Sequence, residues 1–283
     1  MLTREEIKSL LRAEGLHPSP RMGQSFLLSI GALRSIAGAL GGGAGGRAEL
    51  VLEIGCGPGN LTEALLDEGF RVLAVERDRR LGRLCHRRLA GREGLTVVLA
   101  DILRAPVRAP AAGRSVAVAG SLPYAITGEI LRRITDEWPW VPVASILVQE
   151  EVAARLSAAP GNRHYGALTV LMALHWDIVR GIKIPAKSFF PRPAVDSRHV
   201  VLGRKDAGIE PGLAGFLRRV VIGVFSYRRK KLRGALGRAL AGLGIDTELA
   251  GAAAEAGIDL DARPENLTPG QFLALARVLQ PKA

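Results

Sequence analysis

The stretch Glu49-Leu50-Val51-Leu52-Glu53-Ile54-Gly55-Cys56-Gly57-Pro58-Gly59-Asn60-Leu61-Thr62 decides the fold. Its first six residues read as a strand, a short apolar run bounded by turn residues. Three glycines then form a strand-to-helix turn in which a ligand can approach the backbone closely, because no Cβ stands in the way. Turns of this kind hold adenosine-containing cofactors. A dinucleotide fingerprint requires Gly or Ala at position 60, where this chain has Asn60, and this weighs against a nicotinamide or flavin. About twenty residues beyond Gly55, at the end of a second strand, stands Glu76, where a carboxylate can accept both ribose hydroxyl hydrogens. Asp101 ends a third strand, within reach of an adenine amine. Three ligand-facing features at successive strand ends, all on one carboxyl edge, define the expected cofactor site.

Outward from this turn, short β-branched runs at residues 49–54, 71–76, 95–100, 116–119 and 144–148 alternate with helix-length segments. That alternation predicts an α/β fold, a doubly wound Rossmann-like parallel sheet with helices on both faces. After Arg204 the texture changes to Ala, Leu, Gly and Arg at helical spacing, which predicts a smaller C-terminal helical domain. The expected domains are residues 1–204 and 205–283, with 206–212 as linker. The glycine loop at residues 41–46 reads as a further linker without chemistry.

The 283 residues are 48% hydrophobic, enough to bury a core without external staples. A net charge of +12 points to a polyanionic partner, nucleic acid first. Cys56 and Cys85 are distant in sequence and have no Cys-x-x-Cys spacing, so neither a disulfide framework nor a metal site is expected. Residues 1–11 mix Arg4, Glu5, Glu6 and Lys8 with apolar positions, which suits an amphipathic helix better than a signal peptide. No apolar run reaches the roughly 18 residues of a membrane span, and a cytoplasmic location is expected.

Further segments carry a more specific signal. After the fourth strand comes Gly120-Ser121-Leu122-Pro123-Tyr124, and before the sheet Arg21-Met22-Gly23-Gln24-Ser25-Phe26-Leu27. Then follow Gln149-Glu150-Glu151-Val152-Ala153-Ala154-Arg155-Leu156 and Tyr165-Gly166-Ala167-Leu168-Thr169-Val170. The series continues with Phe189-Phe190-Pro191-Arg192-Pro193-Ala194-Val195-Asp196-Ser197, Arg228-Arg229-Lys230-Lys231-Leu232-Arg233 and Arg263-Pro264-Glu265-Asn266-Leu267. In this order the set resembles the ribosomal RNA adenine dimethyltransferases, whose catalytic loop reads Asn-Leu-Pro-Tyr, over nearly the whole chain. The helical C-terminal domain favours the branch that dimethylates adenosines near the 3′ end of small-subunit (16S) ribosomal RNA.

The resemblance implies S-adenosylmethionine as cofactor and small-subunit rRNA or the immature subunit as partner, with a monomeric enzyme acting in rRNA processing and ribosome biogenesis. It implies cofactor contacts from Gln24, Ser25, Leu27, Gly55, Gly57, Gly59, Glu76, Asp101 and Ser121. The catalytic set would be Ser121, Leu122, Pro123, Tyr124 and Phe189. An adenine amine has its lone pair delocalised into the ring, so the enzyme must hold it in line with the methyl donor and accept its hydrogen bonds. Ser121 and a carbonyl at Leu122 are placed to do so, Pro123 stiffens the loop, and Tyr124 and Phe189 are expected to clamp the extruded base.

Two family asparagines are serines here, Ser25 and Ser121, each offering one hydroxyl where Asn offers a longer arm with two donors and an acceptor. Some amino-methylating DNA methyltransferases carry Ser at the corresponding place. Arg218, Arg219, Arg228, Arg229, Lys230, Lys231 and Arg233 have no acid among them and are expected to contact phosphate, with residues 228–231 and 233 as the RNA-binding set. Two readings compete: a non-catalytic RNA-binding assembly or transcription factor on the same fold, and a large-subunit enzyme of the antibiotic-resistance type. Glu76 and Asp101 weigh against the first, since a pure binding module has no need of them.

Overall fold

The computed structural model describes residues 1–18, 23–41, 48–111, 114–206 and 208–280. Arg21, Met22, residues 42–46 of the glycine loop and Ala207 of the expected linker lie outside them. Helix α1 (Arg4–Ala13) starts at a reciprocal cap, in which the Thr3 hydroxyl accepts from the Glu6 N–H and the Glu6 carboxylate accepts from the Thr3 N–H. Its Ile7 and Leu11, one turn apart, are both buried. A two-residue strand β1 (Phe26–Leu27) and helix α2 (Ile30–Gly38) lead into the sheet.

The strands β2 (Leu50–Ile54), β3 (Arg71–Glu76), β4 (Leu95–Leu99), β5 (Val116–Ser121) and β6 (Val143–Gln149) run parallel. Helices α3 (Asn60–Asp67), α4 (Arg79–Arg88) and α5 (Thr127–Arg132) lie on the connections between them. These five strands correspond to the runs read from the sequence. Further along come α6 (Glu150–Leu156), α7 (Ala167–His175), β7 (Trp176–Ile184), β8 (Phe189–Phe190) and β9 (Ser197–Arg204). The sheet order is β4-β3-β2-β5-β6-β9-β7, with β9 antiparallel to β6, so two strands lie beyond the five expected. β1 and β8 form a separate antiparallel pair. The order reverses at β2, which pairs with both β3 and β5, and the diverging connections open a crevice at the carboxyl ends. Central strands must be apolar on both faces, and Val51, Leu52, Ile54, Ala117, Val118 and Ala119 are all buried.

Two compact units make up the chain: Met1–Ala153 with Ile178–Arg204, and Ala154–Asp177 with Lys205–Ala283. This differs from the single cut expected after Arg204. The segment Ala154–Asp177 groups with the C-terminal helices α8 (Pro211–Phe225), α9 (Leu232–Ala241), α10 (Leu249–Glu255) and α11 (Pro269–Leu279) because its apolar side chains share their core. Val170, Leu171 and Leu174 pack with Phe216, Val220 and Phe272, and the buried Tyr165 donates its hydroxyl to the Leu267 carbonyl at 2.6 Å. Among the described residues, no helix is long and apolar enough to cross a membrane.

Candidate active site

At the carboxyl ends of β2, β3 and β5 lies a cavity of about 210 Å³, lined among others by Gly55, Gly57, Glu76, Asp101 and Ser121. Gly55, Gly57 and Gly59 all have left-handed φ, at 76°, 53° and 93°. A Cβ on Gly57 would come within 2.9 Å of the Phe26 ring, and one on Gly59 equally close to the Cys85 sulfur. A Cβ on Gly55 would meet nothing within 4 Å, so the turn is packed behind and open in front. Arg88 of α4 fastens it, donating to the carbonyls of Pro58 (2.9 Å) and Gly59 (2.6 Å) and pairing with Glu63 at 2.8 Å. Asn60 donates to the Leu27 carbonyl at 2.9 Å and accepts from the Leu2 N–H at 3.0 Å, tying β1 and the N-terminal segment to the turn.

Glu76 is held by two backbone donors, with Oε2 accepting from the Gly57 N–H and Oε1 from the Asp78 N–H, each at 2.9 Å. Burial pushes its carboxyl above the usual range, against the lowering effect of those hydrogen bonds. Each oxygen keeps a further lone pair, the arrangement that suits vicinal hydroxyls. Asp101 closes its own turn by accepting from the Leu103 N–H at 3.0 Å, and Arg77 lies 3.7 Å from its other oxygen. Arg133 holds that turn from behind by donating to the carbonyls of Ile102 and Ala105.

Beneath the glycine turn Glu53 is fully buried. One oxygen accepts from the Thr62 hydroxyl at 2.7 Å and the other has no partner among the described residues, and burial pushes its pKa up to about 8. Cys56 and Cys85 are free, buried and close enough to share a hydrogen bond that raises the first thiol and lowers the second. Among the described residues no cluster of His, Cys, Asp and Glu could hold a metal ion.

Three segments far apart in sequence meet beside the cavity. Gly23 (φ 66°) lies against Pro123, where a Cβ would come within 3.2 Å of the proline side chain. Gln24 donates to Asp78 at 3.1 Å, the Ser25 hydroxyl donates to the Pro191 carbonyl, and Phe26 and Leu27 pair with Phe190 and Phe189. The Tyr124 and Ser197 hydroxyls are hydrogen-bonded at 3.0 Å. Ser121 ends β5 and lines the cavity, and its hydroxyl makes no hydrogen bond among the described residues. The Leu122 side chain is buried and its N–H donates to the Leu147 carbonyl at 3.0 Å. Pro123 has φ −60°, and its carbonyl accepts from the Thr127 hydroxyl at 3.0 Å.

Phe189 differs from expectation. It is 1% exposed, packed in the core with Leu27 and Leu147, and its ring offers no free face to a base. The neighbouring Phe190 is the half-buried ring, with the Arg4 guanidinium and Lys8 ammonium 5.9 and 5.8 Å from its centroid. The basic run of the C-terminal unit also differs. Arg228 pairs with Glu265 at 2.6 Å and donates to the carbonyls of Asn162 and Arg163, while Lys231 and Arg233 share Asp261 at 3.1 and 2.9 Å. Arg229 and Lys230 are exposed and have no ion-pair partner among the described residues. Sequence reading missed Arg88, Arg133 and the tie that Asn60 makes to Leu2 and Leu27, whose only signals are an arginine on an amphipathic helix and a departure from a fingerprint.

A reversed-order parallel sheet with an open glycine cradle and a fixed carboxylate at the next strand end defines an enzyme that uses a nucleoside cofactor. The model of the family described as ribosomal RNA adenine dimethylase matches residues 18–281, and the chain belongs to that family. It is a methyltransferase with S-adenosylmethionine as methyl donor. The ribosomal RNA small subunit methyltransferase A of Myxococcus xanthus is 38% identical over 98% of this chain and 96% of its own length. The protein of that name from Phenylobacterium zucineum is 37% identical, over 95% and 91%. Among solved structures, a dimethyladenosine transferase from Plasmodium falciparum superposes with a TM-score of 0.75 at 24% identity, covering 88% of this chain and 95% of that one. The 23S rRNA methyltransferase ErmE superposes at 0.68 with 26% identity, covering 90% and 100%.

Proposed function

We propose that this protein dimethylates the exocyclic amine of adenosines near the 3′ end of small-subunit (16S) rRNA, acting on the immature small subunit during ribosome biogenesis. The observation that carries this reading is the meeting of residues 23–27, 121–124 and 189–197 beside the cavity that Glu76 and Asp101 line. The names of relatives at 38% and 37% identity favour the small-subunit target over the large-subunit one named for ErmE at 26%. The protein acts as a cytoplasmic monomer, and the free buried thiols suit a reducing compartment.

S-adenosylmethionine supplies an electrophilic methyl group on its sulfonium. The residues present fit it: the open side of the turn at Gly55 admits the ligand, with Gly57 and Gly59 shaping the cradle. Glu76 accepts from the ribose hydroxyls and Asp101 from the adenine amine, while Gln24, Ser25 and Leu27 close the near side. The Ser121 hydroxyl and Leu122 carbonyl accept hydrogen bonds from the target amine and hold its nitrogen in line, so positioning rather than a strong base is the chain's contribution. Pro123 fixes the loop, and the half-buried Tyr124, anchored by Ser197, stacks on the extruded base. Phe189 acts from the core as a positioning residue for β1. Incubation with labelled S-adenosylmethionine and unmodified small ribosomal subunits, followed by mapping of the product, tests the proposal. Label confined to adenosines near the 3′ end supports it, and absence of label from small-subunit rRNA overturns it.

A further inference from the structure

A second basic run, separate from the C-terminal one, lies in the catalytic unit. Residues 77–88 contain six arginines against a single acid, Asp78. Three of the six have evident tasks: Arg88 fastens the glycine turn, Arg87 pairs with Glu14 at 2.6 Å, and Arg77 lies at the cavity rim near Asp101. Asp78 is committed as well, since it accepts from Gln24 and from the N–H groups of Arg80 and Leu81. Arg79, Arg80 and Arg83 remain. All three are exposed, and none of their guanidinium groups has an acceptor among the described residues.

Their placement works against helix stability. The first turn of α4 contains no acid and carries Arg79 and Arg80 at the positive end of the helix dipole, where carboxylates are favoured. Arg83 follows Arg79 by one turn, on the solvent side of a helix that buries Leu81, Leu84 and Cys85. The same helix reaches the cavity, whose lining includes Leu81 and, just before the helix, Arg77. The cationic face therefore begins at the mouth of the site.

We propose that Arg79, Arg80 and Arg83 bind the phosphate backbone of the rRNA flanking the adenosine presented to the cavity. The proposal rests on the rRNA-methylating reading above and extends it to a docking surface. Unpaired guanidinium forks match phosphate oxygens, and a strand entering the cavity must lay its neighbouring phosphates across the rim. Such contacts hold the strand without reading its sequence.

The test compares the parent with the triple variant Arg79→Ala, Arg80→Ala, Arg83→Ala, using a transcript of unmodified small-subunit rRNA and fluorescence anisotropy across a salt series. Three lost contacts to single-stranded phosphates flatten the log–log salt slope by about 2.1, which is about a hundredfold weaker binding at roughly 0.1 M salt if both proteins bind alike at 1 M. S-adenosylmethionine affinity should be unchanged, and Tm should hold or rise because the repulsion with the helix dipole is relieved. The triple lysine variant, which keeps the charge, should retain most of the slope, so a folding defect in the alanine variant is recognised. A parental slope in a folded alanine variant overturns the docking surface while leaving the proposed function intact. A parent that neither binds nor methylates the RNA overturns both.

Discussion

Glu76→Gln places an amide where the structure needs two acceptors. Both carboxylate oxygens accept a backbone N–H, from Asp78 and from Gly57, each at 2.9 Å. A carboxylate can do this and still present a lone pair on each oxygen to the ribose, whereas a carboxamide must turn its NH₂ toward one of the two donors. One buried N–H then loses its acceptor, at a cost of about 1–3 kcal/mol, and this falls on the folded protein itself as a lower Tm. The cofactor loses one hydrogen bond to a charged acceptor, a contribution of about 1.5–3 kcal/mol, so its affinity should fall by about ten- to 150-fold. Titration calorimetry with S-adenosylmethionine and differential scanning calorimetry of the protein alone measure the two parts separately. Affinity within twofold of the parent would remove Glu76 from the cofactor site. Lost affinity at an unchanged Tm would show that its contacts to Gly57 and Asp78 do not hold the turn.

Ser121→Ala should slow single-turnover methylation roughly two- to twelve-fold at unchanged cofactor affinity, the effect of one neutral hydrogen bond formed as the amine rehybridises. Ser121→Asn should keep or raise the rate, and abolished turnover in that variant would sink the family mechanism for this loop. Glu53 has a folded pKa of about 8 against an ordinary 4.5, so its contribution to stability is full below 4.5 and is lost as pH rises through 8, on the order of 5 kcal/mol in all. Chemical denaturation of Glu53→Gln should therefore show a flatter stability profile between those pH values, and a parental profile would refute the buried neutral acid. Arg229→Ala with Lys230→Ala should flatten the RNA salt slope by about 1.4–1.8, whereas Arg228→Ala should chiefly lower Tm; equal slopes in the double variant and the parent would clear this run of RNA contact.

The five parallel strands and the glycine turn were legible because their signals are local: a buried parallel strand must be an apolar run, and left-handed φ demands glycine. β1 and β8 were not, since a two-residue strand has no period to read and its pairing joins positions more than 160 residues apart. The same limit explains Phe189. In a Phe-Phe pair one ring must face each side, and only the partner strand decides which, here turning Phe189 toward Leu27 and Phe190 toward Arg4. Charge counting meets a related limit. No acid lies among residues 228–233, but Asp261 and Glu265 arrive from a later loop and take up three of the five cations. Ala154–Asp177 follows a sheet strand in sequence, and its membership in the helical unit depends on which core its leucines enter.

The two serines that stand in place of family asparagines show how one substitution can mean different things at two positions. Ser25 has given its donor to the Pro191 carbonyl, so its hydroxyl fastens the N-terminal segment to the residues after β8. A short side chain serves there because the two segments already meet through the β1–β8 pairing. Ser121 sits at the end of a central strand whose backbone is fixed by β6, and its hydroxyl lines the cavity with no acceptor or donor among the described residues. A polar group left without a protein partner at a ligand-facing position is available to a substrate, while one already satisfied by the chain is not. Any consequence of the family departure for methyl transfer therefore falls on Ser121, and the departure at Ser25 acts on how firmly the cavity is closed.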